Sequence, residues 1–357
     1  MKKHNYSAGP CILPPEVLQA ASSAVLDFDN MGLSLIEISH RSKNFVAVMD
    51  KAIALVKRLL NVPEGYSVLF LQGGASLQFC MVPYNLMKAE GGKAAYLVTG
   101  TWAKNAHKEA SLFGESLAVA SSSDKNFNYI PKGYGIPSDA DYFHCTSNNT
   151  IFGTQMMEFP QSPVGMVCDM SSDIFSRQVD VSLFDLIYAG AQKNMGPAGA
   201  TVVIVKDEIL GKSGRRIPTM LDYATHIEKE SMYNTPPVFA VYASMLTMEW
   251  LENHGGVAWI EGINNEKAST LYAEIDRNAL FYGTAETEDR SRMNACFLLK
   301  DEALTETFDS MLKAAGIVGL NGHRSVGGYR ASLYNALPLS SVKVLVEVMQ
   351  ELERTKG

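Results

Sequence analysis

A lysine and an aspartate stand in the sequence where they could hold a carbonyl cofactor. Lys193 lies in a turn of mainly small and apolar residues, 190–199, just before the apolar run 201–205, and Asp169 directly follows the apolar run 164–168. Pyridoxal phosphate (PLP) chemistry requires a lysine that forms a Schiff base and an acid that keeps the pyridine nitrogen protonated. The pair therefore predicts a PLP site. The alternative is a surface lysine beside an ordinary strand, which the uncharged flanking residues disfavour.

A glycine-rich turn could bind the phosphate of such a cofactor. The segment 72–76, Gln-Gly-Gly-Ala-Ser, separates the apolar run 67–71 from a helix that the sequence predicts from about residue 77. Small residues at a strand-to-helix turn let backbone N–H groups face an anion, and the helix dipole adds to the attraction. Alone, such a segment is more often only a turn. Beside the lysine and the aspartate it predicts the phosphate cup.

Trp102 and the segment 231–237 each allow two interpretations. Trp102 follows the apolar run 94–98, so its ring could stack on a planar cofactor or belong to the core. Asn234 and Thr235 precede Pro236-Pro237 and a helical stretch. They could cap that helix or donate hydrogen bonds to a phosphate, and the sequence alone does not separate these roles.

Two basic segments predict recognition of an anionic substrate. One carries His40-Arg41, and the other carries His323-Arg324 and, six residues beyond, Arg330 within a glycine-rich stretch. Arginine suits a dicarboxylate or a phosphate because its planar guanidinium binds such groups bidentately. The alternative is that these are solvated charges or partners of helix ends.

The elements around these residues alternate between strands and helices, as a parallel sheet requires. Apolar runs predict strands at 67–71, 94–98, 141–146, 164–168, 186–189 and 201–205, and helices at 44–60, 77–88 and 103–113. This alternation predicts an α/β fold, a mixed, mostly parallel sheet with helices on both faces, whose ligands bind at the carboxyl ends of the strands.

The C-terminal third has a different pattern, which predicts a second domain. Helices are predicted at 239–253, 259–277, 302–315 and 340–353, and strands at 294–299 and 329–333. At 357 residues the chain exceeds a typical single core. We therefore expect a large PLP-binding domain over 16–255 and a smaller α/β domain over 256–357, with residues 1–15 packed against it.

Composition and charge agree with a cytoplasmic enzyme and exclude few other classes of protein. The net charge of −7 gives no sign of a nucleic-acid surface, and no apolar stretch has the length to span a membrane. The five cysteines are scattered and form no CxxC pair, so neither a disulfide framework nor a metal site is suggested. The N-terminus has no apolar leader pattern.

Motifs across nearly the whole chain resemble the phosphoserine aminotransferase family. Those enzymes are PLP enzymes of fold type I, in the class-V aminotransferase group. The matching segments, in family order, are 7–10 (Ser-Ala-Gly-Pro), 37–41 (Glu-Ile-Ser-His-Arg), 72–76, 188–194 (Tyr-Ala-Gly-Ala-Gln-Lys-Asn), 233–237 (Tyr-Asn-Thr-Pro-Pro) and 322–335. The segments around Lys193 and Thr235 are the most specific to the family.

The resemblance implies a role for each candidate residue in a homodimer with shared active sites. In the PLP site, Lys193 would bind the cofactor covalently, Asp169 would pair with the pyridine nitrogen, Trp102 would stack on the ring, and Thr150 would bond the phenolic oxygen. The phosphate would be held by Ala75, Ser76 and Gln192, with Asn234 and Thr235 from the second subunit. Arg330 would bind the substrate α-carboxylate, and Arg41 and His40, with His323 and Arg324 of the partner subunit, would bind the distal anion.

The implied reaction is a ping-pong transamination in serine biosynthesis. Glutamate and 3-phosphohydroxypyruvate would give 2-oxoglutarate and O-phosphoserine, and the family is also linked to 3-hydroxy-2-oxo-4-phosphooxybutanoate in pyridoxine biosynthesis. Some members carry an arginine where this chain has Ser76, which puts the affinity for phosphorylated substrate in question. The alternatives are a serine–glyoxylate aminotransferase, a cysteine desulfurase, which would need a mobile cysteine such as Cys296, or a non-catalytic PLP-binding protein.

Overall fold

The computed structural model describes residues 3–357 of the chain. The helices are α1 (Pro15–Leu26), α2 (Lys43–Leu59), α3 (Gly74–Leu86), α4 (Thr101–Ala110), α5 (Tyr223–Glu228), α6 (Val238–Asn253), α7 (Gly256–Arg277), α8 (Thr305–Ala314) and α9 (Leu339–Lys356). Within this part of the chain, no helix is both long enough and apolar enough to cross a lipid bilayer.

The strands form one large sheet and three small ones. In chain order they are β1 (His4–Asn5), β2 (Tyr66–Leu71), β3 (Lys93–Val98), β4 (Glu115–Ser121), β5 (Tyr142–Thr146), β6 (Asn148–Asn149), β7 (Thr154–Gln155), β8 (Met166–Asp169), β9 (Leu186–Gly190), β10 (Thr201–Lys206), β11 (Phe281–Gly283), β12 (Asn294–Leu299), β13 (Ile317–Val318) and β14 (Tyr329–Ser332).

The seven-stranded sheet brings the carboxyl ends of most of its strands to one edge. Its order is β2-β10-β9-β8-β5-β3-β4. Only β10 runs antiparallel to its neighbours β2 and β9, and the other pairs are parallel. The residues that follow β2, β3, β5, β8 and β9 therefore meet at the same edge, where α/β folds bind their ligands.

Alternating side chains of this sheet fill two different layers. Val68 and Phe70 of β2 belong to the core formed with α2 and α6, whereas Leu69 and Leu71 belong to the core formed with α3 and α4. Because successive residues of a strand point to opposite faces, a run that is apolar throughout must be buried on both faces. The helices on both faces provide that cover.

A separate apolar core lies in the C-terminal third. It joins α7, α8 and α9 to the antiparallel sheet β11-β12-β14 and includes Tyr6 of the N-terminal segment. The short strand β1 pairs in parallel with β13, and the hydroxyl of Tyr6 donates to the carbonyl of Ser341 at 2.6 Å. These contacts are compatible with the division at residue 255, which stays a prediction.

The sequence analysis did not predict helices α1 and α5 or strands β1, β4, β6, β7, β11 and β13. It also placed several helix starts two or three residues away from their observed positions. Helix α3 begins at Gly74 instead of residue 77, and α4 begins at Thr101 instead of 103. Glycine is a poor residue inside a helix, so a glycine at the first turn resembles a loop in the sequence. As a result, Ala75, Ser76 and Trp102 lie in the first turns of helices, where free N–H groups are available.

Candidate functional site

Lys193 lies in the turn after β9 and is the centre of the site. Its Nζ donates a hydrogen bond to the Oγ1 of Thr150 at 2.8 Å and lies 5.5 Å from the centroid of the Trp102 ring. Burial lowers the pKa of the Lys193 amine to about 8; the nearby Asp169 carboxylate opposes this shift and Arg330 adds to it. A lysine with a lowered pKa is more often present as the free amine, which is the nucleophilic form.

Asp169 is the last residue of β8 and is buried close enough to Lys193 for their charges to interact. Its Oδ1 accepts the backbone N–H of Ser171 at 2.9 Å. Burial raises the pKa of the Asp169 carboxyl, and Lys193 lowers it. PLP requires a carboxylate beside its pyridine nitrogen and an amine that reacts with its aldehyde. Asp169 and Lys193 are groups of these two types.

A second buried acid, Asp173, was missed by the sequence analysis. Its carboxylate accepts hydrogen bonds from the hydroxyl of Ser147 and from the Nε2 of Gln155, the latter at 3.0 Å. The hydroxyl of Ser147 also contacts the backbone carbonyl of Asp169 at 3.1 Å. Asp173 thus ties the end of β8 to the loop after β5. One signal in the sequence could have indicated it: an acid directly before the apolar residues Ile174 and Phe175 is less typical of a solvated surface.

Trp102 and Gly100 form the wall of the site next to β3. A Cβ atom at Gly100 would lie 2.6 Å from the Oδ1 of Asn149. Glycine therefore lets the start of α4 approach the Asn149 side chain this closely. The Nε1 of Trp102 is buried and has no hydrogen-bond partner among the described residues. A buried indole N–H without an acceptor is unusual, and it is consistent with a ring placed for a bound group.

The turn after β2 leaves free backbone N–H groups where the sequence predicts the phosphate cup. Gly73 has a φ of 85°, a left-handed conformation that glycine adopts without strain. The N–H of Leu77 bonds the carbonyl of Gly73, so the N–H groups of Ala75 and Ser76 lie in the open end of α3. Ala75 is half-buried and Ser76 is exposed. Gln192, next to Lys193, is also half-buried.

The structure excludes the helix-capping interpretation of Asn234 and Thr235. The N-cap residue of α6 is Pro237, and no side chain caps this helix. Asn234 and Thr235 are exposed, and the carbonyl of Thr235 accepts the Nε2 of Gln72 at 2.7 Å. Their side chains are therefore available for a contact from outside the chain.

Arg330 reaches the site from β14. Its Nη1 donates to the carbonyl of Thr150 at 3.3 Å, and its Nε is buried without a partner among the described residues. His323 lies near it: burial, Arg330 and Arg324 together lower the pKa of the His323 imidazole. Arg324 is exposed. Three basic groups at one place favour an anionic ligand.

The segment with His40 and Arg41 lies before α2, which Ser42 caps by accepting the N–H of Phe45. Arg41 is exposed, and the Nε2 of His40 is buried without a partner in the described chain. Among residues 3–357, no hydrogen bond or ion pair joins these two side chains to Lys193, Asp169 or Arg330. A single chain thus brings Lys193 together with Thr150, Trp102 and Asp169. It does not connect the predicted distal residues to them.

Cys296 does not have the properties of a desulfurase cysteine. It lies in β12 and is buried, and its Sγ contacts the carbonyl of Ile151 at 3.4 Å. Burial raises the pKa of its thiol to about 12. Because the thiolate is the reactive form, a thiol of this kind is inert at neutral pH.

Comparisons with known proteins identify the family of the chain. A family model described as aminotransferase class-V matches residues 4–345. The chain is 70% identical over 354 residues to a phosphoserine aminotransferase of Flavobacterium psychrophilum, with 99% of each chain covered. It is 60% identical over 356 residues to one of Parabacteroides distasonis, again with 99% of each covered.

Solved structures give the same result for the fold. A phosphoserine aminotransferase from Bacillus circulans subsp. alkalophilus superposes with a TM-score of 0.96 at 44% identity, covering 100% of this chain and 99% of that one. A PLP-bound phosphoserine aminotransferase from Trichomonas vaginalis gives a TM-score of 0.92 at 37% identity, covering 98% and 100%. The predicted α/β architecture of PLP fold type I is confirmed.

Proposed function

We propose how the residues of this site share the work, from the premise that the chain belongs to the aminotransferase class-V family and, within it, to the phosphoserine aminotransferases. It is a PLP-dependent enzyme. Its reaction is the ping-pong transfer of an amino group between glutamate and 3-phosphohydroxypyruvate, which gives O-phosphoserine and 2-oxoglutarate in serine biosynthesis. The roles of single residues, the homodimer and a cytoplasmic location are our proposal.

The observation that carries the proposal is the Lys193 amine, which is held by Thr150 beside Trp102 and has a pKa lowered to about 8. Lys193 would bind PLP covalently, Asp169 would face its pyridine nitrogen, and Trp102 would cover its ring. The open end of α3 at Ala75 and Ser76, with Gln192, would hold its phosphate. When bound, PLP supplies an electron sink for the carbanion that forms when the substrate Cα loses its proton.

The chain itself contributes substrate binding and proton transfer. Arg330 would bind the α-carboxylate, since its guanidinium lies next to Thr150 and its Nε has no protein partner. This contact would place the substrate Cα within reach of the Lys193 amine. Lys193 Nζ would take the Cα proton as the general base and later return a proton as the general acid. Asp169 would keep the pyridine nitrogen protonated throughout.

The distal anion of the substrate would be bound by Arg41 and His40, with His323 and Arg324 of the partner subunit adding positive charge. Glutamate and phosphoserine both present a distal anion, so one pocket can serve both half-reactions. The turn after β2 carries Ser76 and no basic side chain. We therefore assign the positive charge that binds the substrate phosphate to the two His-Arg pairs.

A homodimer would complete the site. Large apolar side chains are exposed near the polar segments that carry Arg41 and Asn234: Ile36 is 62% exposed, and Tyr233 is 42% exposed. Leu33 and Phe239 are exposed in the same two segments. Clusters of exposed apolar side chains next to polar groups are typical of protein interfaces. Asn234 and Thr235 would then bind the cofactor phosphate of the partner subunit.

Initial rates with two acceptors test the proposed function. Glutamate is the donor, and the acceptors are 3-phosphohydroxypyruvate and hydroxypyruvate without the phosphate. Two charge-assisted hydrogen bonds to the phosphate predict a kcat/KM about 10²–10⁴ times higher for the phosphorylated acceptor. Equal kcat/KM values for the two acceptors would remove the case for a phosphate-binding distal pocket.

A further inference from the structure

Helix α7 carries a fully buried lysine that the mechanism above does not use. The helix contributes Ile260 to the core formed with α2 and α6, and Leu271 to the core of the C-terminal third. Lys267 lies between these two residues, and its Nζ donates to the carbonyls of Leu333 and Tyr334 at 2.7 and 2.8 Å. The chain that it holds is the segment directly after β14, the strand that carries Arg330.

Stability alone does not explain a buried lysine at this position. Burial alone lowers the pKa of its amine to about 7, and no carboxylate contributes to the shift. Replacing a buried charge by an apolar side chain of similar volume is often neutral or stabilising. The feature that an apolar residue cannot supply is the pair of hydrogen bonds that fix residues 333 and 334.

Residues 333–335 are connected to the site by side chains as well as by the backbone. The hydroxyl of Tyr334 donates to the carbonyl of Ala8 at 2.8 Å and is close to Asn294. The backbone N–H of Asn335 donates to the Oδ1 of Asn194 at 2.9 Å. Because Asn194 follows Lys193 in the chain, the segment held by Lys267 contacts both the Arg330 strand and the Lys193 turn.

A second residue of α7, one turn earlier, holds the same segment. The Nδ2 of Asn264 donates to the Oδ1 of Asn335 at 2.9 Å and to the carbonyl of Ser176 at 3.0 Å. The Nδ2 of Asn335 in turn donates to the carbonyl of Phe175 at 2.9 Å. All these groups are buried, so their geometry is fixed by the surrounding packing.

We propose that Lys267 is a positioning residue for the transamination, which sets where Arg330 holds the substrate α-carboxylate relative to the Lys193 amine. It does so by fixing residues 333–335 between β14 and the Lys193 turn. The inference rests on the proposed function, since it assumes that Arg330 binds the α-carboxylate. A shift of about 1 Å between a bound substrate and a catalytic group can cost as much as 10²-fold in rate.

The test is the holoenzyme of Lys267→Met, which keeps the volume and removes both hydrogen bonds. The kcat/KM should fall by roughly tenfold or more, and by the same factor for glutamate and for alanine, because both carry an α-carboxylate. The PLP dissociation constant and the visible absorbance should change little, whereas the melting temperature should fall because the carbonyls of Leu333 and Tyr334 lose their donor. The exposed Lys343→Met on α9 is the matched control and should behave as wild type. An unchanged kcat/KM in Lys267→Met overturns the proposal.

Combination with Arg330→Ala separates positioning from a general structural role. If Lys267 acts through Arg330, then Lys267→Met should cause no further loss in kcat/KM in the Arg330→Ala background. The same loss in both backgrounds overturns the inference while leaving the proposed function intact. If Arg330→Ala itself has no effect on kcat/KM, the proposed role of Arg330 in binding the α-carboxylate is wrong. This inference is then wrong as well.

A second variant covers the case in which Lys267→Met does not fold. Asn264→Ala removes the other contact of α7 to the same segment and leaves Lys267 in place. The expected result is the same equal loss for glutamate and alanine, smaller in size, with unchanged PLP binding. A loss confined to PLP affinity or to the melting temperature would contradict the positioning role.

Discussion

The two halves of the proposed active site differ in how far a single chain completes them. In the enclosed half, Lys193 donates to Thr150, Asp169 accepts the N–H of Ser171, and both Asp169 and Thr150 are buried. In the open half, Arg41 and Thr235 are exposed, and no hydrogen bond joins them to the enclosed half among residues 3–357. The fold of one chain thus preorganises the groups that act on the reacting atoms. The proposed substrate-selecting groups are exposed and not held in place by contacts with those groups.

The largest expected effect lies in the enclosed half. Lys193→Ala should abolish transamination and the visible absorbance of the holoenzyme, because it removes both the covalent link to PLP and the general base, whose loss alone costs about 10²–10⁴-fold. Steady-state rates and an absorbance spectrum check this. Wild-type turnover in the variant would show that the central residue is wrongly assigned.

Asp169→Asn should also act through the enclosed half, with a somewhat smaller effect. The variant should still bind PLP, since Lys193 remains, but its kcat should fall by roughly 10²–10⁴-fold because the pyridine nitrogen is no longer held protonated. PLP binding by equilibrium dialysis and single-turnover kinetics separate the two effects. Loss of PLP binding with normal chemistry in the remaining holoenzyme would contradict this role.

The two arginines sharpen the comparison, since one belongs to each half. Arg41→Ala should lower kcat/KM for glutamate and phosphoserine by about one to two decades, because a charge-assisted hydrogen bond contributes about 1.5–3 kcal/mol and 1.4 kcal/mol corresponds to a decade. Alanine has no distal anion and should be little affected. Arg330→Ala should impair all three amino acids.

The kcat/KM values of each variant with glutamate, phosphoserine and alanine measure this contrast. Wild type with alanine provides the baseline, and it should already be a poor reaction. Equal losses for alanine and phosphoserine in Arg41→Ala would mean that the two arginine roles are exchanged.

A complementation experiment asks whether the open half is closed by a second subunit. Thr235→Ala should weaken PLP binding by about tenfold, since a hydrogen bond to a charged group contributes about 1.5–3 kcal/mol. At limiting PLP, heterodimers with Lys193→Ala should regain one intact site each if Thr235 serves the partner. Absence of recovery, with subunit exchange confirmed by mass spectrometry, would place the Thr235 contact within its own subunit.

The smallest effect is expected at Cys296. Cys296→Ala should leave transamination unchanged within about twofold, because the thiol is buried with a raised pKa and donates to the backbone carbonyl of Ile151. Reaction of the holoenzyme with cysteine should yield no sulfur transfer in either form. Sulfur release that depends on Cys296 would restore the desulfurase alternative.

The sequence predicted the sheet well because its strands are short apolar runs that only a doubly covered sheet can bury. Strand β10 and strand β9 were each placed to within one residue of their ends. Strand β4 was missed, since at the edge of the sheet its residues are only partly buried and its sequence is less apolar. Helix α1 was missed although Pro15 stands at its start.

The residues that position the site were mostly beyond sequence reasoning. Asp173, Asn264 and Lys267 are polar residues at buried positions, and their partners lie far away in the chain: Lys267 contacts residues 66 and 67 positions later. No local pattern marks such a residue, since the same sequence on an exposed helix face would leave it in solvent. Burial, which tertiary packing decides, changes its chemistry.

The sequence by itself determined the chemistry, because a lysine, an acid at a strand end and a glycine turn in family order leave little choice of cofactor. The tertiary structure decided which polar groups are enclosed. It lowered the pKa of Lys193 to about 8 by burial, excluded the capping role of Thr235, and left Arg41 exposed. The physical reason is that residue type sets what a group can do, whereas desolvation and distance set whether it does so.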